Sequence, residues 1–492
     1  MEALPTRLYT PEQVRELDRR AIEDHGIPGE RLMEQAGRAA YRLLRRRWPE
    51  ARRVTVLCGG GNNGGDGYVI ARLAASAGLD VRVAAVSDPE RLSGAAADAM
   101  GRCRELVALE PWDARALDDA DVVVDALLGT GLDREVAGEY AEAIEAANAR
   151  AVGRLAVDVP SGISATTGAC LGVAFRADVT PTFIGLKQGL FTGAAPDYTG
   201  TVRYDDLDVP PAVFGDMPPA AWRVDAGAVA GWLAPRSPAS HKGHFGHVLV
   251  IGGDYGFGGA VRLAAEAAAR TGAGLVSVAT RKRHIAPLLA ACPEVMAHSV
   301  DSATALEPLL GRASVVAIGP GLGQSDWGRG MLAAAGGFDG PLVADADALN
   351  LLAAEGPVAN PRRVITPHPG EAARLLRRDT AEVQRDRFAA LDELLSRFGG
   401  AALLKGAGTL IGAGDQRWLC TAGNPGMASG GMGDVLTGVV AGLLAQGLGV
   451  GEAAAMAAAV HGGAADRAAV RTGRRALLAR DVIDALSGGL PE

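Results

Sequence analysis

Lysine is nearly missing from this chain: only Lys187, Lys242, Lys282 and Lys405 stand among its 49 basic residues, and the others are arginine. Against that background a retained lysine marks a position where a compact ammonium does what a guanidinium cannot. Three of the four fall in glycine-rich segments. Aromatic residues are also sparse, at 4% against 48% hydrophobic, so the cores are built of Ala, Val and Leu, as in α/β layers rather than all-β sandwiches. The five cysteines, Cys58, Cys103, Cys170, Cys292 and Cys420, form no C-x-x-C pair, which gives no zinc framework and suits a reducing compartment. Positive charge is not in surplus: a net charge of -8 argues against broad binding to a nucleic-acid backbone, local basic patches aside. The 67 glycines follow no Gly-X-Y period, so a collagen-like reading fails. The Ala/Gly-rich stretch 439–465 is interrupted by Gln446, Glu452 and His461 and reads as buried helices, not a membrane span. Residues 1–20 are charged and helix-like, without the apolar run of a signal peptide, and the expected location is the cytoplasm.

What the chain does contain is two glycine-rich turns, each holding one aspartate. The first runs Gly59-Gly60-Gly61-Asn62-Asn63-Gly64-Gly65-Asp66-Gly67, the second Asn424-Pro425-Gly426-Met427-Ala428-Ser429-Gly430-Gly431-Met432-Gly433-Asp434. Each follows a strand-like run and leads into an apolar helical pattern, an arrangement that offers free backbone N–H groups to an anion. They share little beyond glycine and aspartate, which argues for two different modules. A length of 492 residues exceeds one ordinary core. Two domains are expected, 1–215 and 225–492, with the junction near 212–224 beside Pro210, Pro211, Pro218 and Pro219.

In the first half, strands are expected at 53–58, 81–86, 121–128 and 155–159, with a helix at 68–77. This alternation predicts a parallel, doubly wound, Rossmann-like sheet with ligands at the carboxyl ends of its strands. Asp125 followed by Gly129-Thr130-Gly131, and Asp158 followed by Pro160-Ser161-Gly162, put polar groups on strand ends beside the first turn. Carboxylate, amide and hydroxyl oxygens together suit a hard cation, and few acidic groups point to a monovalent one.

The segments Gly61 to Gly67, Asp125 to Leu132 and Val157 to Ile163, in this order, resemble the NAD(P)H-hydrate epimerase domain over most of residues 1–210. The resemblance implies that Asn62, Asn63, Gly64, Gly65 and Asp66, with Gly129, Thr130, Gly131, Leu132, Asp133, Arg134 and Glu135, line a hydrated dinucleotide. It implies contact from Asp158 and a potassium ion held by Asn63, Asp125 and Ser161. Inversion at C6 of the hydrated nicotinamide ring needs a positioned acid/base group. Asp158 is the candidate, with Lys187 as helper; an exposed surface charge is the alternative for Lys187. Pro181 stands where an apolar strand residue is expected.

In the second half, strands are expected at 247–251, 275–279, 315–318, 342–344, 364–366 and 402–405, with helices at 259–271, 380–398 and from residue 433. Amides at the start of that last helix form an anion hole, and Asp434 beside it can take a proton from a hydroxyl attacking phosphorus. Lys405-Gly406-Ala407-Gly408-Thr409 suits contact with a nucleotide, or serves as a plain hairpin turn. His368 sits between two prolines, and Asp345 and Asp347 add carboxylates within reach of a phosphate. His241, His244 and His247 are spaced by three, but Gly243 and Gly246 break any helix, which disfavours zinc.

These segments, with His241 to Gly246 and Gly319 to Gly323, resemble the ADP/ATP-dependent NAD(P)H-hydrate dehydratases of the ribokinase-like fold, over roughly 225–490. The resemblance implies that Ala260, Gly321, Gly323, His368 and Asp434 contact the hydrated dinucleotide, and that Lys405, Gly406, Ala407, Gly408, Thr409 and Gly433 contact the adenine nucleotide. It implies ADP as phosphoryl donor with ATP as the alternative, magnesium beside the phosphates, and a homo-oligomer. The two halves together read as a bifunctional repair enzyme acting on hydrated NADH and NADPH. The competing readings are a kinase of a small alcohol with an N-terminal nucleotide-binding module, and a first half that binds without catalysing.

Overall fold

The computed structural model describes residues 4–356 and 358–490, and the chain divides into two compact units, 1–221 and 222–492. Among the described residues no helix is long and apolar enough to cross a membrane.

The first unit begins with β1 (Arg7–Tyr9), α1 (Pro11–Arg19) and α2 (Gly29–Arg47). It continues through β2 (Arg53–Cys58), α3 (Asn62–Ser76), β3 (Asp80–Ala85), α4 (Gly94–Arg104), β4 (Leu109–Pro111) and β5 (Val122–Ala126). It closes with α5 (Glu139–Asn148), β6 (Gly153–Ala156), β7 (Val179–Phe183), β8 (Leu186–Lys187) and β9 (Thr201–Asp205). Seven strands form a parallel sheet in the order β4-β3-β2-β5-β6-β7-β9. The chain winds one way from β2 and resumes on β2's other side at β5, so a crevice opens between the carboxyl ends of β2 and β5. Apart from the sheet, β1 pairs with β8 in parallel, setting Tyr9 opposite Lys187 just before α1 begins.

Three expectations shift here. The helix expected at 68–77 begins at Asn62, so the Asn-Asn-Gly-Gly-Asp segment is the first turns of α3 rather than a turn ahead of it. Gly64 and Gly65 are buried because α3 lies so close: a Cβ on Gly64 would meet the Gly59 carbonyl at 2.1 Å, and one on Gly65 would meet Met33 at 2.6 Å. Asp158 lies beyond the end of β6, with φ of 64°, a left-handed conformation that Asp adopts more readily than most side chains. Pro181 fits within β7, its carbonyl accepting from the Asp158 N–H at 2.8 Å.

The second unit opens with β10 (Ala221–Val224), whose residues Trp222, Arg223 and Val224 pair in parallel with Trp418, Leu419 and Cys420. Then come β11 (His247–Ile251), α6 (Gly258–Arg270), β12 (Leu275–Thr280), α7 (Ile285–Ala291), β13 (Met296–Ser299), α8 (Ala303–Leu310) and β14 (Val315–Ile318). They are followed by α9 (Asp326–Gly336), β15 (Leu342–Ala344), α10 (Ala346–Glu355), β16 (Arg363–Ile365), α11 (Pro369–Leu376), α12 (Thr380–Arg385) and α13 (Arg387–Phe398). Last are β17 (Ala401–Leu404), β18 (Thr409–Ala413), β19 (Gln416–Cys420), α14 (Met432–Ala445), α15 (Val450–Thr472) and α16 (Ala479–Ala485).

The strand order β13-β12-β11-β14-β15-β16-β17-β18-β19-β10 again reverses direction, between β11 and β14. Parallel pairing holds from β13 to β17, and β17, β18 and β19 are antiparallel. The core is Ala- and Val-rich, and its small residues let helices touch: a Cβ on Gly438 of α14 would fall 2.1 Å from the Ala264 carbonyl of α6. The helix expected at 380–398 is two, because Asp386 (φ -140°, ψ 89°) leaves the helical region and its side chain caps α13 through the Ala389 N–H at 2.9 Å.

Candidate active sites

At the reversal in the first unit lies a cavity of about 1150 Å³. Asn62, Asn63, Asp66, Asp158 and residues 129–135 all line it. Gly64 and Gly65 do not; what they offer there is the Gly64 N–H, which together with those of Asn62 and Asn63 heads α3 without a side-chain cap. Lys187 stands behind Asp158. Its ammonium donates to Asp158 Oδ1 at 2.5 Å, to the Phe183 carbonyl at 2.9 Å and to Thr182 Oγ1 at 3.2 Å. With 1% of its side chain exposed, Lys187 is no surface charge. Asp158 Oδ1 also accepts from Thr182 Oγ1 and the Phe183 N–H. That crowd of donors orients one carboxylate oxygen and leaves the other to the cavity side.

Two further aspartates share this electrostatic neighbourhood. Asp66 is pushed well above the usual carboxylate range by burial, with the charges of Asp158 and Asp18 adding to the effect. Asp18, from α1, also lines the cavity, and burial raises it to about 6, Lys187 opposing and Asp158 reinforcing. Sequence reasoning passed over Asp18. The available signal was its place beside the buried face marked by Val14, Leu17 and Ala21.

Asn63 and Ser161 converge on Leu128, and Asp125 joins them through Ser161 and the Leu127 N–H. Asn63 Nδ2 donates to the Leu128 carbonyl at 3.1 Å, and Ser161 Oγ accepts from the Leu128 N–H at 2.8 Å. Ser161 donates to Asp125 through both Oγ (2.6 Å) and N–H (2.8 Å). Asp125 is fully buried, its hydrogen bonds come from neutral donors, and burial lifts it to about 6. Asn63 Oδ1 is buried with no hydrogen-bond partner. A buried carboxylate beside an orphaned amide oxygen and a hydroxyl is a donor set that fits a monovalent cation.

In the second unit the reversal between β11 and β14 brings Gly321 against α6 and Gly323 against Asp254. A Cβ on Gly321 (φ 59°) would approach that of Ala260 at 3.3 Å. The Gly323 N–H donates to Asp347 Oδ2 at 2.9 Å. Facing them is the start of α14. Gly431, at φ 90°, heads the helix without a side-chain cap, and the first turn closes with the bond from Val435 N to Gly431 O. The N–H groups of residues 432–434 therefore remain available to an anion.

Asp434 occupies this turn. Burial raises it to about 7, the charges of Asp345 and Asp347 adding to the shift and Lys405 opposing it. Lys405 Nζ donates to Asp345 Oδ1 at 2.8 Å and lies 3.6 Å from Glu371. Burial alone would depress Lys405, but Asp345 and Glu371 hold its ammonium above the usual value. Thr437 Oγ1 donates to Asp345 Oδ2 at 2.8 Å, so Asp345 is committed to holding the lysine. Gly433 keeps this space open: its Cβ would sit 3.3 Å from Lys405 Nζ and 3.4 Å from Asp345 Oδ2.

Lys405 to Thr409 do form the hairpin turn between β17 and β18, with Gly406 at φ 141° and Gly408 at φ 61°. The same turn carries the Lys405 ammonium to Asp345. Beneath it Arg387, 1% exposed, donates to the carbonyls of Leu404 (3.0 Å) and Lys405 (3.2 Å), a support the sequence did not reveal. His368 caps α11, its Nδ1 accepting from the Gly370 N–H at 3.0 Å, and its half-exposed ring sets Nε2 3.5 Å from Glu371 Oε1. Among the described residues no three His, Cys, Asp or Glu side chains form a metal-binding group.

Comparison with known proteins agrees with both halves. Residues 248–487 match the family model of NAD(P)H-hydrate dehydratase, and residues 29–189 match that of the YjeF-related protein N-terminus. A ribokinase-like superfamily protein of Enterococcus faecalis, 30% identical, superposes with a TM-score of 0.51 over 54% of this chain and 94% of its own. A Streptococcus mutans protein, 32% identical, gives 0.50 over 54% of this chain and 99% of its own. The second unit has the ribokinase-like fold, and the first is Rossmann-like. The bifunctional NAD(P)H-hydrate repair enzyme of Escherichia coli is 44% identical over 98% of this chain and 94% of its own length. That of Coxiella burnetii is 49% identical over 97% of this chain and 98% of its own, and the chain belongs to this family, the bifunctional NAD(P)H-hydrate repair enzymes.

Proposed function

We propose that the first unit interconverts the R and S forms of hydrated NADH and NADPH at C6 of the nicotinamide ring. The second unit dehydrates the S form with ADP as phosphoryl donor, ATP being the alternative. The observation that carries this reading is Asp434, a carboxylate raised to about 7 beside the open start of α14. There it accepts the proton of the C6 hydroxyl as that oxygen attacks the terminal phosphorus, whose charge the free amides hold. Phosphate then leaves C6, driven by the ring-nitrogen lone pair, and loss of the C5 proton restores the dihydropyridine. Ala260, Gly321, Gly323 and His368 border the hydrated ring. Lys405 to Thr409, with Gly433, face the adenine nucleotide. Magnesium bound with the nucleotide phosphates, within reach of Asp347, would neutralise part of their charge.

In the first unit Asp158, oriented by Lys187 and Thr182, exchanges the proton of the departing hydroxyl or the arriving water. Asn62, Asp66 and residues 129–135 hold the dinucleotide along the cavity. Asn63, Asp125 and Ser161 would hold potassium, which supplies the positive charge that Asp125 lacks and steadies the Leu128 loop. Free thiols and a nucleotide-linked substrate suit the cytoplasm.

The test presents each epimer of hydrated NADH separately, with ADP, and follows the return of the NADH absorbance. Recovery from both epimers supports the reading. Recovery from S alone reduces the first unit to a binding module. Failure with both, alongside phosphorylation of another alcohol, overturns it.

A further inference from the structure

Inversion at C6 poses a geometric problem that one carboxylate does not solve. Hydroxide leaves from one face of the ring, and water returns to the other. A group that touches the departing oxygen is screened from the arriving water by the ring itself. The cavity is lined by carboxyl groups carried on different elements of the fold. Asp158 comes from the loop beyond β6, tied to Lys187, while Asp18 comes from α1. That helix borders the cavity through Val14, Arg15 and Asp18, with Ile22 just beyond its end, and its Glu16 pairs with Arg19 and with the adjoining Arg20. Asp66, on α3, completes the trio.

We propose that Asp18 is a second catalytic acid/base of the epimerisation, serving the face of the ring opposite Asp158. This rests on the epimerase reading of the first unit and deepens it. In one direction the C6–O bond breaks as the ring-nitrogen lone pair forms the C6=N bond, and the Asp18 carboxyl gives its proton to the departing oxygen, which leaves as water. A water on the other face then adds to C6, the π pair returns to nitrogen, and the surplus proton passes to the Asp158 carboxylate. The reverse conversion uses the same two groups with roles exchanged. Each turnover moves one proton from one carboxyl to the other, and exchange with solvent resets the pair.

The charged groups around Asp18 suit this alternation. Lys187 on β8 stabilises its ionised form, Asp158 beyond β6 disfavours it, and Asp66 on α3 and Arg15 on α1 border the same cavity. Burial leaves Asp18 near 6, able to carry or release a proton close to neutrality. Asp66 is lifted well above the usual range, which suits a standing hydrogen-bond donor rather than a group that cycles.

The test is Asp18→Asn in the full chain, assayed in heavy-oxygen water with each epimer and no ADP. Two readings are taken: inversion at C6, and incorporation of solvent oxygen with retained configuration. Inversion is expected to fall on the order of 10²–10⁴-fold, the usual contribution of such a group. Oxygen exchange with retention persists in one epimer, because Asp158 still serves its own face. The pH dependence of inversion near 6 disappears with it: the fall with rising pH in the direction where Asp18 is the acid, and the fall with dropping pH in the direction where it is the base. Unimpaired inversion in Asp18→Asn overturns the proposal, as does parallel loss of inversion and retentive exchange in a variant whose first unit remains folded. Thermal unfolding of the first unit, identified by its shift with potassium chloride, reports the folding of that unit, and Asp18→Glu, which keeps the carboxyl, is expected to recover part of the inversion. If the unaltered protein inverts neither epimer, the underlying epimerase reading fails instead.

Discussion

Replacing Asp434 with asparagine is expected to make the second unit more stable as it makes it inactive. The carboxyl has an ordinary value of 3.8 and stands at about 7 in the fold, chiefly through burial and then through Asp345 and Asp347. Because the folded value is raised, the folded state keeps its proton over a range where the unfolded chain has lost it. Stability from this group is therefore complete below about pH 4, falls as pH rises toward about 7, and is flat above. At about 1.4 kcal/mol per tenfold, the loss amounts to ~4 kcal/mol as an upper limit. The asparagine amide keeps the shape without the charge, so the variant should gain up to that amount at about pH 8 and almost nothing near pH 4. At about 2–4 °C per kcal/mol the limit is on the order of 10 °C in melting temperature. Calorimetry of the full chain resolves this if the dehydratase transition is identified by its upward shift with ADP, since two units need not melt as one. Dehydration by the variant should fall on the order of 10²–10⁴-fold. A variant no more stable than the parent at about pH 8, or equally stabilised at both pH values, would refute the view of Asp434 as a desolvated base held at an energetic cost.

Lys187→Met should abolish epimerisation and lower the stability of the first unit by about 3–5 kcal/mol, because it strands Asp158 beside a buried gap. Adding Asp158→Asn should recover much of the stability and none of the activity, and simple additivity in thermal unfolding would count against the pairing. Gly433→Ala should leave folding nearly unchanged but cut dehydratase kcat/KM at least tenfold, about 1.4 kcal/mol in the transition state, since the new methyl crowds Lys405 Nζ and Asp345 Oδ2. Potassium chloride, compared with choline chloride, should stabilise the first unit by about 1.4 kcal/mol when the ion exceeds its Kd tenfold. Asp125→Asn should erase that difference, and a potassium response that survives the substitution would remove Asp125 from the ligand set.

Much of this architecture was legible because parallel strands buried on both faces must be short, continuous apolar runs. Those at 53–58, 247–251, 315–318 and 342–344 fall where they were expected. The two glycine–aspartate turns were legible for a related reason: close backbone approach leaves few alternatives to glycine. Element boundaries were less so. Asn62 reads locally as a turn former, yet α3 starts there because Gly64 and Gly65 let the helix settle against Gly59 and Met33. Asp386 reads as an ordinary helical residue and instead ends one helix and caps the next.

The chemistry divides along the same line. Local sequence determined which residues could act: Asp158, Asp434, the two inward lysines in a chain that otherwise uses arginine, and the glycines that expose helix amides. Tertiary structure decided what state those residues are in and which others join them. Lys187 and Lys405 became buried partners of Asp158 and Asp345 only through strand pairing and the β17–β18 hairpin. Asp18 joined the cavity only because β1 pairs with β8 and delivers α1 to its edge. Periodicity and composition describe neighbours along the chain, whereas desolvation and charge coupling depend on neighbours in space, and those are set by the order of the strands.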